Sequence, residues 1–320
     1  MVFARVAKKF RDWRIARNTR GQEFKPPQFS QGHRVGKLRY YTEGDENAPV
    51  TLVFIHGYTL AAQAWHMQIA ALADQARCIA MDLRGHGKSD VCPIAEYTID
   101  GAADDVMTVL DDAHITTPII LIGHSLGGMV LLNFLHRYPQ FRLLCKGIVL
   151  VSTSAQPFAA EGVTKLLKLP IVNSIRDMAE ANLEEAQGVR TAVSELVVPM
   201  VEATAALADE EKMRHLHMQL IDNTPLSSVI GFLDDLQEQD ETAALQYLQD
   251  VPGRVLVGAD DVFTPVTSSQ YIVNHWPAAT LTVVPDTGHM LPLENPTVVN
   301  AAIMNLLTEV ATKKAVDVAD

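Results

Sequence analysis

The stretch "PIILIGHSLGGMVLLNF", residues 118–134, changes its hydrophobic period halfway along. Ile119, Ile120, Leu121 and Ile122 form a short, continuous, largely β-branched run, the pattern of a strand buried on both faces. After Gly128, Met129, Leu132, Leu135 and His136 recur at three- and four-residue spacing until Pro139, which reads as a helix. Five residues, Gly123-His124-Ser125-Leu126-Gly127, must turn one into the other. So abrupt a turn forces one residue into a strained backbone conformation, and glycines at 123 and 127 remove the side chains that would clash around it. Ser125 stands at the tip. Gly-x-Ser-x-Gly between a strand and a helix is a nucleophile elbow, whose tightness exposes the hydroxyl.

Outward from the elbow the elements alternate. "KLRYYTEG" (37–44) reads as an early strand and "PVTLVFIHG" (49–57) as a buried one, followed by a helix over about 61–75. "RCIAMDLRGHG" (77–87) is a strand and its loop. "YTIDGAADDVMTVLDDAHI" (97–115) is a helix with Thr98 as N-cap. "CKGIVLVST" (145–153) is a further buried strand. Strand and helix in alternation imply a mostly parallel sheet with helices on both faces, an α/β fold. The rhythm then breaks. Residues 155–250 are rich in Ala, Glu, Leu and Gln, show no buried strand, and read as a helical insertion. "GRVLVGADD" (253–261) and "ATLTVVPDTGHM" (279–290) restore the strand pattern. "NPTVVNAAIMNLLTEVATKK" (295–314) closes as a helix capped by Asn295, with Pro296 first. The organisation expected is an N-terminal extension (1–29), a core from 30–154 and 251–320, and a helical cap (155–250). An insertion between two strands of such a sheet emerges at their carboxyl ends, where ligands bind, and so over Ser125.

Composition excludes several classes. With 48% apolar and 20% charged residues the chain is neither disordered nor membrane-embedded, and no run approaches the length of a spanning helix. Cys78, Cys92 and Cys145, odd in number and scattered, argue for reduced thiols and a cytoplasmic address. No His/Cys cluster has zinc spacing and no phosphate- or dinucleotide-binding motif appears, so neither metal nor cofactor is expected. The net charge of −12 conceals an asymmetry. Residues 1–25 hold eight basic side chains against Asp12 and Glu23, a net of +6, which leaves −18 on the rest. Phe3, Val6, Phe10 and Trp13 share a helical stripe among those charges. Such a helix suits the surface of an anionic membrane; an apolar stripe on a helix is more often buried against protein, here the chain's own body or a second copy. The acidic remainder disfavours nucleic acid as a partner, and the oligomeric state is left open.

A serine nucleophile needs a base to take its proton and an acid to orient the base. Behind an elbow of this kind the chain order is Ser, acid, His. Asp260 and Asp261 follow the first strand after the insertion, and His289 follows the last strand. Asp286 is the nearer acid to His289, but it leaves its strand on the wrong side of the Gly288 turn. His56, His86 and His124 stand beside these loops as structural residues, whereas His114, His136, His215, His217 and His275 read as helix-surface or helix-end residues. An oxyanion needs donors, for which the main-chain N–H of Leu126 and of Tyr58, with Thr59 in reserve, are placed by the turn after their strands.

Taken together, "HGYTL", "DLRGHGKSD", "GHSLGG", "GADDVFTP" and "DTGHMLPLENP" resemble the α/β-hydrolase superfamily over residues 36–154 and 250–312. The resemblance implies a helical cap after the sixth strand. It selects Asp261, three residues after Gly258, as the catalytic acid beside Ser125 and His289. It also makes Met290 and Trp65 candidates for the acyl pocket, Trp65 equally for the core. Relatives resembling epoxide hydrolases and haloalkane dehalogenases carry Asp at the elbow. Serine there points to the branch of carboxylesterases, lipases, thioesterases, lactonases, carbon–carbon bond hydrolases, cofactor-free haloperoxidases and proline iminopeptidases. The activity this implies is serine-dependent hydrolysis of small-molecule or lipid esters. A carbon–carbon bond hydrolase or lactonase with the same three residues, and a catalytically idle binding protein, are the alternatives.

Overall fold

The computed structural model describes residues 27–157 and 211–317. The N-terminal amphipathic stripe and residues 158–210 of the expected cap lie outside them. The strands are β1 (Gln31–Val35), β2 (Leu38–Glu43), β3 (Thr51–Ile55), β4 (Arg77–Asp82), β5 (Ile119–His124), β6 (Cys145–Val151), β7 (Gly253–Gly258) and β8 (Ala279–Val284). They form one sheet in the order β1-β2-β4-β3-β5-β6-β7-β8. The β1–β2 and β2–β4 pairs are antiparallel and the others parallel. This is the mostly parallel α/β architecture expected from the alternation of elements.

Two elements were not legible beforehand. Strand β1 pairs with β2 across a two-residue turn, Gly36-Lys37, with Val35 opposite Leu38 and Gly36 at φ 54°. Its side chains are polar and largely exposed, so it carries no apolar alternation to read. A helix at Val266–Asn274, between β7 and β8, follows Pro265 without a strong apolar stripe of its own. Because of β1, the strand that precedes the insertion is the sixth.

The helices cover both faces of the sheet, and the strand residues sort between them by parity. The helices labelled here are α1 (His66–Leu72), α2 (Ile99–Asp112), α3 (Leu126–Arg137), α4 (Glu211–Asn223), α5 (Leu226–Gly231), α6 (Leu233–Glu238), α7 (Val266–Asn274), α8 (Leu291–Glu294) and α9 (Pro296–Asp317). Val53, Ile55, Leu121, Ile148 and Leu150 face a core filled by α2 and α3 through Val106, Leu110, Leu131 and Phe134. Leu52, Phe54, Ile120, Ile122 and Val149 face the opposite core, filled by Trp65, α1 and α9 through Ile69, Leu72, Ile303 and Leu306. Central strands buried on both sides account for the unbroken apolar runs. Thr98 caps α2 as expected, its hydroxyl accepting from Gly101 N–H at 3.0 Å. Among the described residues, no helix is long and apolar enough to cross a membrane.

The described part of the insertion is helical. It is closed at its base, where Glu241 N–H donates to Ala155 O at 2.7 Å and Gln239 Nε2 donates to Gln156 O at 2.5 Å. Helix α4 rests on the loop after β3 and on the segment following β8. There Leu216 and Leu220 pack with Leu60, Ala61, Ala64, Met290 and Leu293.

The loop after β4 is organised by one carboxylate. Asp82, fully buried, accepts from Ala62 N–H at 2.8 Å, Lys88 N–H at 2.9 Å and the Tyr41 hydroxyl at 3.2 Å. A Cβ on Gly87, which sits at φ +54°, would come within 2.3 Å of that carboxyl. Glycine is therefore required for the loop to fold back over Asp82. Each buried donor left unpaired costs about 1–3 kcal/mol. Asp82→Ala is expected to lower stability in urea melts by about 1–3 kcal/mol, since the buried Ala62 N–H and the part-buried Lys88 N–H lose their acceptor.

Candidate active site

Ser125 sits between β5 and α3 at φ 52° and ψ −120°, a region that residues with a side chain avoid. The surroundings enforce it. Ser125 N–H donates to Val151 O at 3.0 Å, and its carbonyl accepts from Gly128 N–H at 2.9 Å and from the Thr153 hydroxyl at 2.7 Å. A Cβ at 127 would lie 2.3 Å from Ile55 O, and one at 123 would lie 2.7 Å from Gly128 N. The two glycines read from the sequence are thus the only residues that fit. With the main chain bonded on both sides, Oγ is left to point away from the sheet.

It points at His289. Oγ lies 3.0 Å from His289 Nε2, and Nδ1 of the same ring lies 2.9 Å from Asp261 Oδ2. Asp261 and His289 follow the adjacent strands β7 and β8, and their loops are locked together backbone to backbone. Asp260 N–H donates to Thr287 O at 2.9 Å, and a Cβ on Gly258 would lie 2.1 Å from the same oxygen. Asp286 is exposed and takes no part; Asp260 contributes its main chain.

The Asp261 carboxylate is saturated with donors. Oδ1 accepts from Phe263 N–H at 2.9 Å and Thr264 N–H at 3.0 Å, and Oδ2 accepts from the Thr264 hydroxyl at 2.8 Å as well as from His289. Burial works to raise its pKa. The charge of His289 and the hydrogen bonds from His289 and Thr264 outweigh burial and hold it below the usual carboxylate value. Around this pair stand neutral imidazoles. Burial, then the charge of His289, pulls His124 down to about 3 and His217 to about 4.

The loop after β3 lies directly against the serine. A Cβ on Gly57 would meet Ser125 Cβ at 3.2 Å. Among the described residues, the N–H groups of Tyr58 and Leu126 enter none of the turn hydrogen bonds around them, whereas Thr59 N–H donates to His86 Nε2 at 3.3 Å. The Tyr58 side chain is itself anchored, its hydroxyl donating to Val229 O in α5.

This serine, imidazole and carboxylate meet on a sheet whose sequence has a known counterpart. A model described as the alpha/beta hydrolase family matches residues 52–302. The chain belongs to the alpha/beta hydrolase family. It is 27% identical over 279 residues to 3-oxoadipate enol-lactonase 2 of Acinetobacter baylyi, covering 83% of this chain and 91% of that one. It is 33% identical over 115 residues to epoxide hydrolase 1 of Caenorhabditis elegans, a match covering 35% of this chain and only 28% of that protein. Among solved structures it superposes on a thermophilic esterase from Thermogutta terrifontis with a TM-score of 0.71 and 25% identity, covering 89% of this chain and 99% of that one.

In this hydrolase, several residues differ from their sequence reading or escaped it. His56, His86 and His124 are hydrogen-bonded residues of the loops, as expected: His56 Nε2 accepts from Leu83 N–H at 3.0 Å, and His124 Nε2 donates to His289 O at 2.9 Å. His217, assigned to a helix surface, is instead buried on the face of α4 turned toward His289 and His124. The helix lies on the loop after β3 and the segment after β8, with Leu216 and Leu220 inward, and His217 is buried next to Leu216. Trp65 is fully buried behind the site, tilted against Phe54 and edge-on to His124. It is a core residue of the face opposite α2 and α3, one of the two readings the sequence allowed it. Met290 packs under α4. Glu294 was not singled out, yet its carboxylate accepts from the N–H groups on either side of His289.

Because the Asp261 carboxyl is held low in the folded chain, its stabilising contribution is present above the ordinary carboxylate pKa and is lost as pH falls through the folded value. The stability advantage of wild type over Asp261→Asn in urea melts is therefore expected to shrink as pH falls from about 5 through 4 and below. An advantage that grows over that range would contradict the assignment.

Proposed function

We propose that the chain is a serine hydrolase that cleaves carboxylic esters through an acyl-enzyme on Ser125. The observation that carries this reading is the unbroken line from Ser125 Oγ to His289 Nε2 at 3.0 Å and from His289 Nδ1 to Asp261 Oδ2 at 2.9 Å. In the resting state the serine hydroxyl donates to Nε2 while Nδ1–H donates to Asp261. Attack of Oγ on the ester carbonyl transfers the hydroxyl proton to Nε2, and Asp261 stabilises the imidazolium that results. The tetrahedral oxyanion takes hydrogen bonds from the N–H groups of Tyr58 and Leu126; the second of these opens α3, where the helix dipole adds to the attraction. Collapse expels the alcohol, which leaves with the Nε2 proton. A water, deprotonated in turn by Nε2, attacks the acyl-serine and releases the acid.

An esterase and an enol-lactonase are among the proteins this chain resembles, and a lactone is a cyclic ester, so one reaction covers both names. Epoxide opening is disfavoured, because residue 125 offers a hydroxyl where that chemistry in the resembling branch uses a carboxylate. Apolar packing of α4 over Met290, Leu60 and Leu293 favours an ester with an apolar acyl or alkyl group.

Ser125→Ala is expected to lower kcat for p-nitrophenyl esters by on the order of 10⁴–10⁶-fold. It should also abolish fluorophosphonate labelling and leave the melting temperature essentially unchanged. Retained turnover would overturn the serine mechanism. We also propose that residues 1–25, with their net charge of +6 and the Phe3, Val6, Phe10 and Trp13 stripe, dock on anionic lipid. The full chain should co-sediment with vesicles rich in phosphatidylserine and a chain lacking residues 1–25 should not; equal sedimentation of both would refute the docking.

A further inference from the structure

The backbone on either side of His289 is gripped by one carboxylate. Glu294, the last residue of α8, accepts from Gly288 N–H through Oε2 at 2.6 Å and from Met290 N–H through Oε1 at 2.9 Å. The carbonyl between those two N–H groups, that of His289, accepts from His124 Nε2 at 2.9 Å. The main chain at 288–290 is thus fixed by three side-chain hydrogen bonds, none of which belongs to the line from Ser125 to Asp261. The same carboxylate interacts electrostatically with the His289 ring and with Asp261.

Building on the serine-hydrolase reading above, we propose that Glu294 is a positioning residue for the reaction: it sets where the His289 ring stands relative to Ser125 Oγ and adds a second negative charge beside the imidazolium. The need for it follows from the loop. His289 lies in a Gly-flanked turn beyond β8, with no helix or strand to hold it at the point of chemistry, and a displacement of the base by about 1 Å costs on the order of 10²-fold in rate. A carboxylate bonded to both flanking N–H groups removes that freedom at the peptide level. Its charge acts in the same direction as that of Asp261. Among the described residues, His124 from the end of β5 and His217 from α4 also interact with the ring, and burial pulls both below the usual imidazole value; burial raises the Glu294 carboxyl, and its bonds from Gly288 and Met290 N–H and its attraction to His289 work against that.

The test is Glu294→Gln, which keeps the size but offers only one accepting oxygen and no charge. On the full chain, kcat should fall by about 10- to 100-fold with KM nearly unchanged. The acid limb of the kcat/KM profile should move to lower pH, because an imidazolium with less negative charge beside it loses its proton more readily. Glu294→Asp keeps the charge but withdraws it by one methylene from the two N–H groups. It should lower kcat, leave KM, and hold the acid limb in place. If Glu294→Gln fails to fold by circular dichroism, the Asp variant decides on those three readings. A kcat like that of wild type, an acid limb that stays put in Glu294→Gln, or kcat and KM disturbed together as in a generally loosened site would each overturn the proposal. Ser125→Ala run alongside separates the claims. Residual activity there overturns the serine reading and this one with it, whereas an inactive Ser125→Ala beside a fully active Glu294→Gln overturns the role of Glu294 alone.

Discussion

The structure depends on a single strained turn. A serine at φ 52° and ψ −120° between β5 and α3 is a conformation that the chain would abandon if it had room. It has none: the carbonyl oxygen of Ile55 occupies the place of any side chain at 127, and Gly128 occupies that of any side chain at 123. Strand β3 must lie beside β5 for this to hold, and the central sheet, buried on both faces, keeps it there. The order of the sheet and the projection of Oγ beyond its edge are therefore one constraint.

The electrostatics around that hydroxyl are built from the same economy of space. Asp261 keeps its charge in a buried position because every lone-pair direction of its carboxylate is met by a donor, and because a histidine stands at the end of one of them. The other imidazoles within reach of His289 are held neutral by burial and compete with it for no proton. His289 thus presents Nε2 to Ser125 and Nδ1 to Asp261, while Glu294 holds the peptide N–H groups on either side of it.

Much of this was legible in the amino-acid sequence because the central strands are buried on both sides and so read as unbroken apolar runs, and because each residue of the site lies on a loop just beyond such a run. The glycines at 123 and 127 were readable because so abrupt a turn leaves no room for side chains there, whereas the close approach at Gly258 is seen only in the fold. What escaped had no local signature. Strand β1 is polar and exposed, and its place in the sheet is owed to pairing with β2. His217 takes its meaning from where α4 lies, which depends on contacts with Leu60 and Met290, distant in sequence. Glu294 reads as an ordinary helix-end acid until the turn before it is seen to fold back onto its carboxylate. Trp65 stands beside the loop of the site in sequence but is rotated into the opposite core.

The central claim is that a serine, an imidazole and a carboxylate at one rim of the sheet act as a single nucleophilic unit with two main-chain donors beside it. A crystal structure of the chain after reaction with a phosphonate ester tests this directly. The account predicts one covalent bond, from Ser125 Oγ to phosphorus, with a phosphonyl oxygen within hydrogen-bonding distance of both Tyr58 N–H and Leu126 N–H. An unmodified Ser125, or phosphorus bonded to any other side chain, would contradict it.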